Sequence, residues 1–180
     1  MYDVDVKLIK MCVTHYWQKR DGLSEKLEYK SKTYFNKFEK VEKPLTMQVM
    51  SDHQDGKITV AHSVILPSQK VENIIFDYNG RDPERFWHRA QLLFREEGFI
   101  NFTAYKSKTE GHLHLYIHKG HTTLHEGIHL AKTLSMKLSQ KLPNQWNCFP
   151  NDSVPPEFNI LALPYELYQK ERGSSWSKHL

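Results

Sequence analysis

The spacing of apolar and polar residues changes several times along the chain, and each change marks an element. Val6, Ile9, Val13, Tyr16 and Trp17 recur at helical intervals, so residues 3–20 read as an amphipathic helix. The stretch "LTMQVMSDHQDGKITVAHSVIL" alternates on both sides of Asp55-Gly56 and predicts a β-hairpin with a long loop. "ENIIFDYN" predicts a short strand. "RDPERFWHRAQLLFREEG" then carries a full helix signature, with Asp82 as N-cap, Pro83 at the first helical position and Gly98 as the stop. Phe86, Ala90, Leu93 and Phe94 form its apolar face. "FINFTAYKSKTEGHLHLYIH" predicts a second hairpin with Lys108–Gly111 at its tip, and Thr123 with Glu126 fits a capping box opening a helix over 124–141. After a proline-rich stretch, "FNILALP" predicts a last strand.

This order implies an α+β fold, a mostly antiparallel sheet with helices packed on one face and an open polar face on the other. Residues 1–40 are expected to form a helical extension packed on a domain spanning 41–180. Alternation sorts the strands further, because residues two apart share a face. Ile74, Phe76 and Tyr78 oppose Ile75, Asp77 and Asn79; Leu113, Leu115 and Ile117 oppose His112, His114, Tyr116 and His118. Adjacent strands would gather Asp77, Asn79, His112 and His114 on the open face. A carboxylate and a carboxamide are hard oxygen ligands for Mg²⁺ or Mn²⁺, and the tip residues Lys106, Ser107 and Lys108 suit phosphates.

Composition adds less. The chain has 180 residues with net charge +4, which suits one domain with an appendage and permits an anionic partner. Lysines recur through "KLEYKSKTYFNKFEKVEK" with aromatic residues between them, the make-up of a nucleic-acid surface, although the glutamates among them weaken the field. The start of the chain lacks the order of a secretory signal and no run reaches membrane-spanning length, so a soluble cytoplasmic protein without a membrane partner is expected. Cys12 and Cys148 are expected to be free thiols.

"LHEGIHL" contains H-E-x-x-H, in which His125 and His129 would share a helix face and Glu126 would activate a zinc-bound water. Six of the eleven histidines fall between His112 and His129, so the spacing alone is weak evidence. At about 100° per residue the pair points away from the apolar stripe of Leu124, Ile128, Ala131, Ser135 and Leu138, and Glu126 already serves the cap. Glu157, Glu166 and His179 are the candidate third ligands.

With these residues identified, the segment from Asn73 to about residue 140 resembles the archaeo-eukaryotic primase superfamily, especially the polymerase domains of bacterial end-joining ligases. The resemblance rests on "FDYN" and on the unbroken spacing from Lys106 to His114 before "LHLYIH". "LALPYELYQKERG" is similar to a Leu-Pro strand and loop of some primases. Taken whole, the chain also resembles a small uncharacterised protein family of Helicobacter and its relatives. The superfamily resemblance implies an RRM-like sheet, Asp77 and Asn79 as metal ligands for Mg²⁺ or Mn²⁺, His114 as a triphosphate-binding histidine, and Lys106 and Ser107 at the phosphates. Lys108 and His112 would lie beside them, His112 where the family has glycine. Asn79 stands where a second carboxylate belongs, and Asp152 and Glu157 are the guesses for a third.

Three functional readings follow. One is a nucleoside triphosphate-binding, primase-like protein with weak or lost nucleotidyl transfer and DNA or RNA as partner. The second is a zinc hydrolase using His125, Glu126 and His129. The third is a non-enzymatic module whose lysine- and aromatic-rich N-terminal region contacts nucleic acid or protein.

Overall fold

A computed structural model describes residues 9–172. The chain runs β1 (Tyr16–Lys19), a hairpin of β2 (Glu25–Tyr29) and β3 (Lys32–Asn36), β4 (Phe38–Val41), α1 (Met47–Gln54), β5 (Val60–Ser63) and β6 (Lys70–Tyr78). Then come α2 (Pro83–Glu96), β7 (Asn101–Lys106), β8 (Leu113–Thr123), α3 (Leu124–Ser139), β9 (Trp146–Phe149), a short 3-10 turn (Pro156–Phe158), β10 (Ile160–Ala162) and β11 (Glu166–Arg172). The larger sheet has the order β11-β7-β8-β6-β9, and a smaller one has the order β10-β5-β1-β4. All their pairings are antiparallel.

The middle of the chain forms as its local signals dictate. Asp82 caps α2 by accepting from Arg85 N, and Gly98 ends that helix at φ +86°. The capping box of α3 is complete, with Thr123 Oγ1 accepting from Glu126 N and the Glu126 carboxylate accepting from Thr123 N. Thr123→Ala is therefore expected to cost about 1 kcal/mol, measurable as a lower urea midpoint. Helices α2 and α3 cover the face of the larger sheet that carries Ile74, Phe76, Leu113, Leu115 and Ile117, and this core includes Phe86, Leu93, Phe94, Leu134 and Leu138.

Four expectations need correction. The proposed helix over 3–20 falls partly on residues 1–8, outside those described, but Tyr16–Lys19 is a strand. Tyr16 and Trp17 are both buried because a strand sends them to opposite faces, Tyr16 into the core beneath the smaller sheet and Trp17 outward against Phe158. β1 pairs with β5, so the smaller sheet draws strands from both sides of the expected boundary at residue 40. The first half of the expected 45–66 hairpin is helix α1, capped by Thr46 Oγ1 on Val49 N and burying Met50 and His53 three residues apart. "TMQVMSD" satisfies both periods, and the cap decides for the helix.

The open face differs as well. Polar residues do stand where alternation put them, but most are covered. Ile75, Tyr105 and Tyr116 of the larger sheet form a second core with Met50 of α1, Val60 of β5 and Leu161 of β10. The expected open surface is thus an interior seam with an accessible rim.

Candidate functional site

β6 and β8 pair Asp77 directly with His114, and β8 and β7 pair His114 with Tyr105. Asp77 Oδ1 lies 3.4 Å from His114 Nε2, with the Asp77 side chain 21% exposed and that of His114 only 4%. The carboxylate therefore forms the rim and the imidazole stands behind it. Among the described residues His114 Nδ1 is buried without a hydrogen-bond partner, which normally costs about 1–3 kcal/mol.

Further histidines line the same seam. His53 Nε2 donates to Leu163 O at 2.8 Å while Nδ1 accepts from Val60 N at 3.0 Å. His62 Nδ1 lies 3.2 Å from Ser63 O and Nε2 lies 2.7 Å from Tyr116 Oη. A carbonyl only accepts, so the His62 proton sits on Nδ1 and Nε2 accepts from the tyrosine. Burial pushes both rings down to about 4, assisted by the charge of His114 in each case and by Lys108 for His53. His118, farther along β8, is half-buried, with Nδ1 3.0 Å from Asn73 Oδ1 and Nε2 2.9 Å from Thr103 Oγ1.

The remaining predicted residues divide between the two sides of the sheet. Asn79 follows β6, is exposed, and donates from Nδ2 to Asp77 O at 3.2 Å. Lys106 pairs with Glu166 at 3.2 Å and, with Ser107, Lys108 and His112, lines a cleft of about 350 Å³ closed by Pro83 and Tyr168. Alternation sends Lys106 to the helix side, opposite Asp77 and His114. Lys108 is the tip cation whose field reaches His53 in the seam.

The second cross-strand neighbour of Asp77 is Asn147 on β9, a residue that sequence reading passed over because "WNCF" is too short to show a period. Asp77 thus stands between an imidazole and a carboxamide. The guessed third acids lie elsewhere in the bonding pattern: Asp152 is held by Lys132 at 2.6 Å, and Glu157 sits on the 3-10 turn. One carboxylate with carboxamides nearby fits a single hard cation that takes its other oxygens from phosphate and water. It does not fit a pair of cations, which needs carboxylates to hold both.

His125 and His129 lie on α3, and Glu126 is engaged in the cap. Among the described residues no three His, Cys, Asp or Glu side chains are grouped to hold a metal ion, and His179 lies outside them. Also among the described residues, no helix is long and apolar enough to cross a membrane.

Residues 1–73 match a family described as a domain of unknown function, DUF1882. No curated protein matches the sequence. Among solved structures, the chain is similar to the polymerase domain of Mycobacterium tuberculosis ligase D in complex with DNA. That likeness has 12% identity and a TM-score of 0.52, and it covers 89% of this chain and 71% of the other. At this identity it is a likeness of fold alone, an α+β architecture shared with that polymerase domain.

Proposed function

We propose, taking that fold as the premise, that this chain is a nucleotide-binding domain that holds a nucleoside triphosphate and one divalent cation at the rim of the seam. It lacks the carboxylates for efficient nucleotidyl transfer. The observation that carries the reading is the Asp77–His114 pair, an accessible carboxylate backed by a buried imidazole on neighbouring strands of that fold. Asp77 would hold Mg²⁺ or Mn²⁺, with Asn79 adjacent in the chain. When bound, the cation would neutralise phosphate charge.

The protein's own groups divide the work. His114 is too buried to touch a phosphate readily, so it acts as a positioning residue that fixes the Asp77 carboxylate from behind. Lys108 and Ser107 would supply donors to the phosphates from the hairpin tip, and Lys106 and His112 would line the adjoining cleft. With both cross-strand neighbours of Asp77 uncharged or imidazole, binding is retained while two-cation chemistry is not.

Titration calorimetry with ribo- and deoxyribonucleoside triphosphates, with and without Mn²⁺, tests the reading. Metal-dependent binding is expected for the native chain, abolished in Asp77→Ala and weakened about tenfold in His114→Ala, as for a residue that orients a metal ligand. Unchanged triphosphate affinity in Asp77→Ala would overturn it. Stoichiometric zinc in the purified protein would turn attention to His125 and His129.

A further inference from the structure

We propose that the outer face of the smaller sheet, together with the β2–β3 hairpin, is a docking surface for single-stranded DNA. It lies on residues separate from Asp77 and His114. The register places Lys40 across from Trp17 and Lys19 across from Phe38. Tyr16 and Val41, which also pair, belong to the interior core, so Trp17, Lys19, Phe38 and Lys40 face outward. The 3-10 turn Pro156–Phe158 crosses this outer face and leaves a cleft on each side. One, of about 260 Å³, is lined by Phe35, Phe38 and Phe158, with Lys37 as its charged residue. The other, of about 450 Å³, is lined by Trp17, His15, Lys40 and Glu157.

The rings are held in place. Trp17 Nε1 donates to Ser63 Oγ at 3.3 Å, and Ser63 Oγ lies 3.0 Å from His15 Nε2. Trp17 also packs on Phe158 with ring centroids 5.4 Å apart. The hairpin is anchored to the loop before the turn, with Lys30 Nζ donating to Asp152 O at 2.9 Å and Tyr34 Oη donating to Ser153 O. Phe35 has no such duty. It is 66% exposed and stands across from Lys26 on the hairpin.

Aromatic rings alternating with cations match the two parts of a single strand, base faces that stack and phosphates that need positive charge. Duplex DNA hides its base faces and is a poor fit. Charge favours nucleic acid over an apolar peptide. Residues 26–43 hold six lysines against three glutamates, and among the described residues Lys19, Lys32 and Lys37 have no acidic partner. The acids present are Glu25 and Glu28 on the hairpin, paired with Arg20 and Lys26 at 3.7 Å each, Glu42, paired with Lys40 at 2.9 Å, and Glu157 at the second cleft. The apolar groove also favours deoxyribose over ribose. Its uncharged polar lining side chains are already engaged, Asn36 with the backbone of Phe38 through both its oxygen and its nitrogen and the Tyr34 hydroxyl with Ser153 O, which leaves a ribose 2′-hydroxyl poorly matched there.

Fluorescence anisotropy of a labelled oligo-dT of roughly twelve nucleotides, followed over a range of salt concentrations, tests the proposal. The native chain should bind it in a salt-sensitive way and bind duplex DNA and the matching oligo-U more weakly. Phe35→Ala should weaken binding about tenfold, and Phe35→Tyr should restore it. Lys37→Gln should weaken binding and lower the salt slope by about 0.7. Because Phe35 and Lys37 are exposed, these variants should fold as the native chain does. Asp77→Ala should bind the oligonucleotide normally and Phe35→Ala should bind triphosphate normally, so the two proposals can fail separately. The docking proposal is overturned if oligo-dT does not bind, if Phe35→Ala binds as tightly as the native chain, or if oligo-U or duplex is preferred. A Phe35-dependent dimer would overturn it as well, by assigning the face to a second copy.

Discussion

Between about pH 6.5 and pH 4 the protein is expected to lose several kcal/mol of folding stability, through His53 and His62. Both rings are neutral in the fold and spend both nitrogens, one as donor to a carbonyl and one as acceptor. A second proton on His53 would meet the Val60 N–H, and on His62 it would meet a tyrosine hydroxyl that now donates. Their pKa values fall from 6.5 to about 4, so an unfolded chain takes up the protons first as pH drops. The stabilisation is fully present above about pH 6.5, declines as pH falls, and is gone below about 4. Each ring contributes on the order of 3 kcal/mol to that loss. Melting temperatures measured from pH 7.5 to pH 4 should show it, and His62→Gln should flatten the curve by roughly half. A melting temperature that stays constant from pH 7 to pH 5 would refute the assignment.

Asn159→Ala should be nearly as damaging at neutral pH, costing about 3 kcal/mol. The side chain is 1% exposed and organises the loop that precedes β10. Its Oδ1 accepts from Asn151 N at 2.6 Å, and its Nδ2 faces the carbonyls of Asn151, Val154 and Pro155 at 3.0, 3.4 and 3.2 Å. Alanine fills none of these roles, and the half-buried Asn151 N–H loses its partner. That loop also supplies the carbonyls that hold Lys30 and Tyr34, so the β2–β3 hairpin should loosen with it. Denaturant unfolding would measure the loss, and hydrogen exchange should rise over residues 25–36. A drop below about 1 kcal/mol would mean that the loop is held by other contacts.

The part of the fold readable from sequence is the part whose cues are local. β6, α2, β7, β8 and α3 announce themselves through alternation, Asp82-Pro83, Gly98 and the Thr123–Glu126 box, each acting within a few residues. The smaller sheet is less legible. "FNILALP" marks β10 and the second run of the expected hairpin holds β5, but β1 fits a helical spacing equally well and becomes a strand through its pairing with β4 and β5 across long stretches of chain. For the same reason the roof over the polar face was invisible, although the side to which each strand residue points was not. Asp77 opposite His114 follows from alternation and holds in the structure. Lys106 was grouped with them by distance along the chain, and the parity of β7 places it on the other side of the sheet. Asn147 needed the register of an edge strand that no periodicity could reveal.

The sheet order also bears on how the chain reaches its native state. β10 supplies an edge of the smaller sheet and β11 an edge of the larger, although both strands come from the last stretch described. Residues 1–73 therefore contain three strands of the smaller sheet but neither its β10 edge nor the β8 face beneath it. During synthesis the core between the two sheets is not complete until Leu161 and Leu163 have left the ribosome, and the contacts that complete it join distant parts of the sequence. Folding should accordingly be late and slow, with the free edge of β5 exposed to intermolecular pairing until β10 arrives.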